Sequence, residues 1–259
     1  MHRVISNLAR KVGLYGPLRT FKSRIDRVRP QNARHRHLSQ KFYGQFFGPG
    51  DLVFDVGANV GNRTEVFLGL GARVIAVEPQ PPCQDVLKRL FEQNHRFMLV
   101  PEALGAQAGE AQMFVGDALV LSTLSSEWLS KMRESGRFGE LEWNKTATVQ
   151  VRTIDSLIAE LGEPAFCKID VEGFELEVIK GLSRPLTALS VEVASEHADS
   201  IIQALDRLDA LGNYAYNYSI AESMAMSMDH WVDGTQIRKF ICSELGSSMF
   251  GDVYARRKS

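Results

Sequence analysis

The chain has 259 residues, 44% of them hydrophobic and 24% charged, with a formal net charge of −1, ordinary values for a globule that folds in water. At this length it buries roughly three quarters of its unfolded surface and needs no disulfide or metal staple, and without an apolar run of about 18 residues no membrane-spanning helix is expected. Cys83, Cys167 and Cys242 form no pairing pattern, which fits a reducing compartment and small buried thiols.

The charge is unevenly placed. Residues 1–41 hold eleven Lys and Arg against the single acid Asp26, a net of +10, and the remainder carries −11. Within this arm Leu14, Leu18, Phe21, Ile25 and Val28 recur at helical spacing between Arg19, Lys22, Arg24, Arg27 and Arg29. Pro17 suits a first helical position, and Pro30 ends the run. The pattern is a basic amphipathic helix. Its apolar stripe packs on the body of the protein or, in a second reading, meets anionic lipid or a phosphorylated carrier. Nucleic acid is not expected as a partner, because no aromatic residues are interleaved to stack bases. The first residues, MHRVISNLARKVGLYG, lack the continuous apolar core and cleavage site of a secretory signal. The expected location is therefore cytoplasmic, or peripheral at the inner membrane surface if the arm touches lipid.

A second helix is expected over residues 31–47, ended by Gly48-Pro49-Gly50. The arm thus covers 1–47 and a single domain covers 48–259. Leu52-Val53-Phe54 opens that domain as a strand buried on both faces. It runs into the turn Asp55-Val56-Gly57-Ala58-Asn59-Val60-Gly61, a short helix from Thr64 to Leu70, and a second strand, Val74 to Val77, ending on Glu78-Pro79. Strand, glycine turn, helix, strand and acid make the βαβ unit that binds nucleoside cofactors. The turn offers N–H groups at a helix N-terminus, and the acid accepts hydrogen bonds from ribose hydroxyls.

A helix from Asp85 to Asn94 follows Pro81-Pro82, then a third strand, Phe97 to Val100. Residues 111–115 and 148–151 alternate as strands do and are expected to pair across a polar insertion, about 116–146, that carries Trp128 and Trp143. The insertion is expected as a loop with a short helix, and insertions of this length are usually functional lids or disordered. Thr153-Ile154-Asp155 caps a helix through Leu161, and Ala165 to Asp170 is the fourth core strand, followed by Val171-Glu172-Gly173 and a helix through Lys180. Further strands are expected at 189–193, 214–220 and 252–256, with a helix from His197 to Leu211. Met224, Met226, Met228, Trp231 and Phe240 read as core or pocket wall.

Two ligands compete for the glycine turn. A dinucleotide fingerprint needs G-x-G-x-x-G, whereas here Gly57 and Gly61 are four apart, with Asn59 between them and Asn62 next. An NAD-dependent oxidoreductase is therefore disfavoured. Asp55 would repel a pyrophosphate but suit an ammonium or sulfonium group, and S-adenosylmethionine carries both, with a ribose for Glu78.

Asp-Val-Gly-Ala-Asn-Val-Gly at 55–61, Val-Glu-Pro at 77–79 and, above all, Lys-Ile-Asp-Val-Glu-Gly-Phe-Glu-Leu-Glu-Val-Ile-Lys-Gly at 168–181 resemble the FkbM family of class I S-adenosylmethionine-dependent methyltransferases. The resemblance covers residues 50–257 and leaves the basic arm outside. It implies an α/β, Rossmann-like fold: a seven-stranded, mostly parallel sheet with one antiparallel strand near the end and helices on both faces. It implies methyl transfer from S-adenosylmethionine, commonly to hydroxyl oxygens of sugars, glycolipids, polyketides or other small acceptors. By position, Asp55, Gly57, Asn59 and Gly61 would line the methionine end and ribose of the cofactor. Glu78 would hold the ribose hydroxyls, Ala103-Leu104 would lie by the adenine, and Thr64 would add a hydrogen bond or cap the helix. A catalytically silent scaffold on the same fold is the alternative, disfavoured by the intact Asp55–Gly61 and Glu78 set.

The reaction needs alignment and, for a hydroxyl acceptor, a proton acceptor. Asp170 and Glu172 stand at the carboxyl end of the fourth strand, where open α/β sheets bind ligands. Glu172 would alternatively serve the following helix start. His197, after the fifth strand, is the histidine candidate for a base. Glu192, within a strand, and Glu196 could with Asp170 ligate a divalent ion, a grouping that spacing alone does not support.

Overall fold

The computed structural model describes residues 30–116, 122–135, 145–194, 198–244 and 250–258. The basic stripe of residues 14–28, Trp143 and His197 lie outside the described residues. Helix α1 (Pro30–Tyr43) leads into β1 (Leu52–Val56), α2 (Asn62–Gly69), β2 (Arg73–Val77), α3 (Pro81–Phe91) and β3 (Phe97–Val100). A small second unit follows: β4 (Ala103–Leu104), β5 (Gly109–Val115), β6 (Ser122–Thr123), α4 (Ser126–Ser135) and β7 (Lys145–Arg152). Then come α5 (Ile154–Leu161), β8 (Phe166–Ile169), α6 (Glu175–Lys180), β9 (Ala188–Ala194), α7 (Ala198–Leu211), β10 (Tyr214–Ile220), α8 (Gly234–Glu244) and β11 (Phe250–Arg257).

The main sheet has seven strands in the order β10-β11-β9-β8-β1-β2-β3. Every neighbouring pair is parallel except those that β11 makes with β10 and β9, both antiparallel. The central strands form where the sequence is apolar without interruption, because helices cover both faces and neither side meets water.

One face carries Phe54, Val56, Ile75, Cys167, Ile169, Val191 and Tyr216 against α5, α6, α7 and α8. The other carries Val53, Val74, Phe166 and Tyr254 against Phe42 and Tyr43 of α1 and Val66 and Phe67 of α2. There Phe46 stacks on Phe166 at 4.9 Å and on Tyr254 at 5.3 Å between ring centroids. Helix α1, read from the sequence as part of the arm, is thus seated in the core of the domain.

The small sheet runs β4-β7-β5-β6, and β5 and β7 pair antiparallel from Gly109↔Val151 to Val115↔Lys145, the pairing expected across the insertion. Two local differences from expectation have plain causes. Helix α3 starts at Pro81 rather than Asp85, because both prolines occupy first-turn positions whose N–H groups have no helical partner. Helix α8 was not expected; a reciprocal capping box starts it, with Gln236 N–H donating to Asp233 Oδ1 at 2.8 Å and Asp233 N–H to Gln236 Oε1 at 3.2 Å. Met224 is buried in the core under α1 and α2, with Met226 and Trp231 packed against it, and Met228 and Phe240 pack on the core of the other face. Among the described residues no helix is long and apolar enough to cross a membrane.

Candidate functional site

A cleft opens at the carboxyl ends of β1, β2 and β8 and is roofed by β4 and β6 of the small sheet. Its floor is backbone. Gly57 has φ +77°, and a Cβ there would stand 1.8 Å from the Asp170 carbonyl oxygen. Only glycine lets β1 turn away this close to β8. The N–H groups of Gly57 and Ala58 both donate to Val77 O, at 3.0 and 3.1 Å, which fixes the turn to the tip of β2.

Glu78 stands at that tip, 2% exposed. Its two carboxylate oxygens accept from the N–H groups of Asn59 at 2.7 Å and Gln80 at 2.9 Å. Burial pushes this carboxyl up to about 7 against the pull of those bonds. Asn59 sits in the left-handed region at φ 51°, where asparagine is among the best tolerated residues. Its Oδ1 accepts the Val60 N–H at 2.7 Å.

The particular residues of the roof are not among the expected site residues. Ser122 Oγ donates to Gln80 Oε1 at 2.7 Å, and Thr123 Oγ1 donates to the Glu172 carbonyl at 2.7 Å. Trp128 of α4 seals Gly173, whose Cβ would fall 2.3 Å from the indole. Gln80, Ser122, Thr123, Met113 and Phe174 all face the cleft, and no periodicity in the polar insertion announces its share of them.

Asp170 and Glu172 form the opposite wall. Glu172 is at φ 54°, one of the strained positions that gather at functional sites. Asp170 accepts from Lys168 Nζ at 2.6 Å, the lysine 4% and the aspartate 30% exposed at their side chains. Oxygens of Asp170, Glu172 and Glu192 lie within 4.8 Å of one another. Burial and then the charges of Asp170, Glu172, Glu175 and Asp252 push Glu192 well above the usual carboxyl value, and its side chain hydrogen-bonds that of Asp170. Burial also raises Asp170, but the charge and hydrogen bond of Lys168 outweigh it and hold that carboxylate below its ordinary value.

The structure therefore gathers Gly57, Asn59, Glu78, Ala103, Asp170 and Glu172 around one cleft. It does not bring Asp55, Gly61 or Thr64 to the cleft wall. Asp55 is 1% exposed and shares the sheet face of Lys168; Thr64 Oγ1 donates to Asp55 Oδ2 at 2.6 Å, and the helix is capped at Gly61 without a side-chain bond. Gly61 serves packing: at φ +87°, a Cβ would meet the Phe91 ring at 2.5 Å, so its absence lets α3 close on the turn.

A seven-stranded sheet of this order, with one reversed strand and a buried acid at the tip of the second strand beside a glycine turn, defines a class I methyltransferase fold. The sequence model of the methyltransferase FkbM domain matches residues 55–220, and the chain belongs to that family. Hexuronic acid methyltransferase AglP of Haloferax volcanii is 27% identical over 152 residues, 57% of this chain and 56% of the relative. The chain thus matches little more than half of that protein's length. Among solved structures, precorrin-6y C5,15-methyltransferase from Geobacter metallireducens superposes with a TM-score of 0.46 at 11% identity, covering 86% of this chain and 88% of that one. Fibrillarin of Aeropyrum pernix, with natively bound S-adenosyl-L-methionine, gives 0.40 at 10% identity, covering 80% and 67%.

Proposed function

We propose that the chain transfers a methyl group from S-adenosylmethionine to a hydroxyl oxygen of a sugar or sugar-bearing small molecule. The observation that carries this reading is the pairing of Glu78 and Asp170 across one cleft. Glu78 is a buried acceptor already held by two backbone N–H groups, with lone pairs left for the two hydroxyls of a ribose. The Gly57 turn leaves backbone bare where a Cβ would fill the space. The donor set fits a nucleoside whose reacting end carries positive charge, because the far wall of the cleft is acidic. Gly57, Asn59, Glu78 and Ala103 would hold that cofactor, and Asp55, Gly61 and Thr64 would shape the turn from behind. The cofactor supplies an electrophilic methyl group; everything else is alignment and proton handling.

Asp170 is the proton acceptor in this reading. It lines the cleft, and Lys168 keeps it ionised, so an acceptor hydroxyl against it would lose its proton as the C–O bond forms. Glu172 beside it would orient the acceptor, and His197 remains a base candidate on sequence grounds alone. A hexuronic-acid relative favours a carbohydrate acceptor.

The test is twofold. Titration calorimetry with S-adenosylhomocysteine should show binding that Glu78→Ala weakens; no binding, or unchanged affinity in the variant, overturns the cofactor assignment. Incubation with a panel of uronic-acid and neutral glycosides should give a one-methyl mass gain dependent on S-adenosylmethionine.

A further inference from the structure

We propose that Lys168 is a positioning residue of this site, an ammonium built into the middle of a buried strand to keep Asp170 ionised and aimed at the cleft. The proposal rests on the reading of Asp170 as proton acceptor. Strand β8 alternates, so Phe166, Lys168 and Asp170 share one face. Phe166 joins the aromatic layer with Tyr254 and Phe46, and Lys168 stands above it, 3% exposed, in register with Asp55 on β1 and Ser190 on β9. A lysine sealed between helices and aromatic rings costs stability unless its charge is answered. Here it is answered by Asp170 at 2.6 Å, with Asp252 and Asp55 next.

The groups around Asp170 leave few alternatives. Glu172 and Glu175 approach from the loop and from α6, Glu192 from β9, Asp252 from β11 and Asp55 from β1. Arg63 of α2 approaches too, but it is ion-paired with Glu222, beyond β10, and lies 5.8 Å from the Tyr43 ring centroid. Among the described residues Lys168 is thus the cation in hydrogen-bond contact with Asp170, inside a shell that is otherwise mostly carboxyl. Take its charge away and that shell favours a proton on Asp170, which then has no capacity to accept one from substrate. A lysine that merely filled space would be replaced by methionine without this effect.

The experiment is a pH titration of side-chain carboxyl carbons by ¹³C NMR in the full-length protein with a chelator present, Asp170 being assigned by its loss in Asp170→Asn. An opposite charge at this distance moves a carboxyl by about 1–3 units. Lys168→Met should therefore raise the Asp170 midpoint by at least about one unit, and Lys168→Arg should leave it near the wild-type value. A midpoint unmoved in Lys168→Met, or moved equally by Lys168→Arg, overturns the proposal. If the methionine variant does not fold, Lys168→Gln carries the same prediction and the same refutation. Glycoside methylation by Asp170→Asn tests the underlying reading separately: wild-type turnover would remove Asp170 as the base, whatever the titration shows.

Discussion

The two walls of the cleft are built from different materials. On the Gly57–Glu78 side the positions are set by backbone: a left-handed glycine, a left-handed asparagine, and N–H groups aimed at one buried carboxylate. On the Asp170 side they are set by side-chain charges, with Lys168 and Glu192 bonded to Asp170 and Asp252 beside them in a layer between the sheet and helices α1 and α2. Backbone geometry fails abruptly, because a Cβ either fits or does not. A charge network fails by degrees and with pH, because each partner redistributes protons among the rest.

The sharpest way to break the first wall is Gly57→Ala. The new Cβ would overlap the Asp170 carbonyl at 1.8 Å in a left-handed conformation, so the strand end must move. We expect a loss of about 3 kcal/mol or more of stability in denaturant unfolding and no measurable S-adenosylhomocysteine binding. Near-native affinity in this variant would show that the turn does not floor the cofactor site.

Glu78→Ala comes next. Two charge-assisted hydrogen bonds of roughly 1.5 kcal/mol each predict a fall in S-adenosylhomocysteine affinity of about 100-fold. The wild type should show a pH dependence with a definite sign. Its carboxyl sits at about 7 in the ligand-free fold, and ribose hydroxyls donate to the ionised form. Affinity should therefore rise about tenfold between about pH 6 and 8, with release of about half a proton at pH 7. Calorimetry in buffers of different ionisation enthalpy checks both numbers.

This contrast also explains what was legible in the sequence. The first wall is local: Asp55 to Gly61 and Glu78 lie in one βαβ unit, whose glycine spacing and terminal acid announce a nucleoside turn. Even so, strand alternation in Leu-Val-Phe-Asp-Val places Asp55 beside Val53 on the sheet face of Lys168, where it is buried and bonded to Thr64 behind the cleft wall. The second wall is assembled from β8, β9 and β11, and its members signal nothing alone. One clue was present: Lys168 interrupts an otherwise apolar buried strand, a placement that demands a carboxylate partner. Ser122 and Gln80 meet across 42 residues of sequence separation, and the Asp233-x-x-Gln236 box of α8 was obscured by the methionine-rich stretch before it.

Proton distribution in the charged layer makes a third prediction, about stability. Burial raises Glu78 and Glu175 to about 7 and Asp252 to about 6. A carboxyl raised in the fold contributes stability that is complete below its unfolded value and disappears as pH climbs through the folded one. Asp170 and Glu222, both lowered, act in the opposite sense and lose their contribution only as pH falls below the ordinary carboxylate range. Between the two groups, the melting temperature of the ligand-free protein should decline from about pH 5.5 to 8. Saturating S-adenosylhomocysteine should flatten the Glu78 part of that decline. A melting temperature that rises across this window would mean the layer is ionised throughout and wetter than its burial indicates.

The smallest effect belongs to the roof, which joins the two walls by side-chain hydroxyls. Ser122→Ala removes the bond to Gln80 Oε1 and leaves a buried amide oxygen without that donor, while the Gln80 N–H still holds Glu78. The loss should be about 1 kcal/mol, read as roughly a fivefold weaker S-adenosylhomocysteine affinity. The Asp170 midpoint should not move, because Ser122 touches only the Glu78 side. If instead that midpoint shifts with Ser122→Ala, the roof transmits strain from one wall to the other through Thr123 and the Glu172 carbonyl, and the two walls would have to be treated as a single unit.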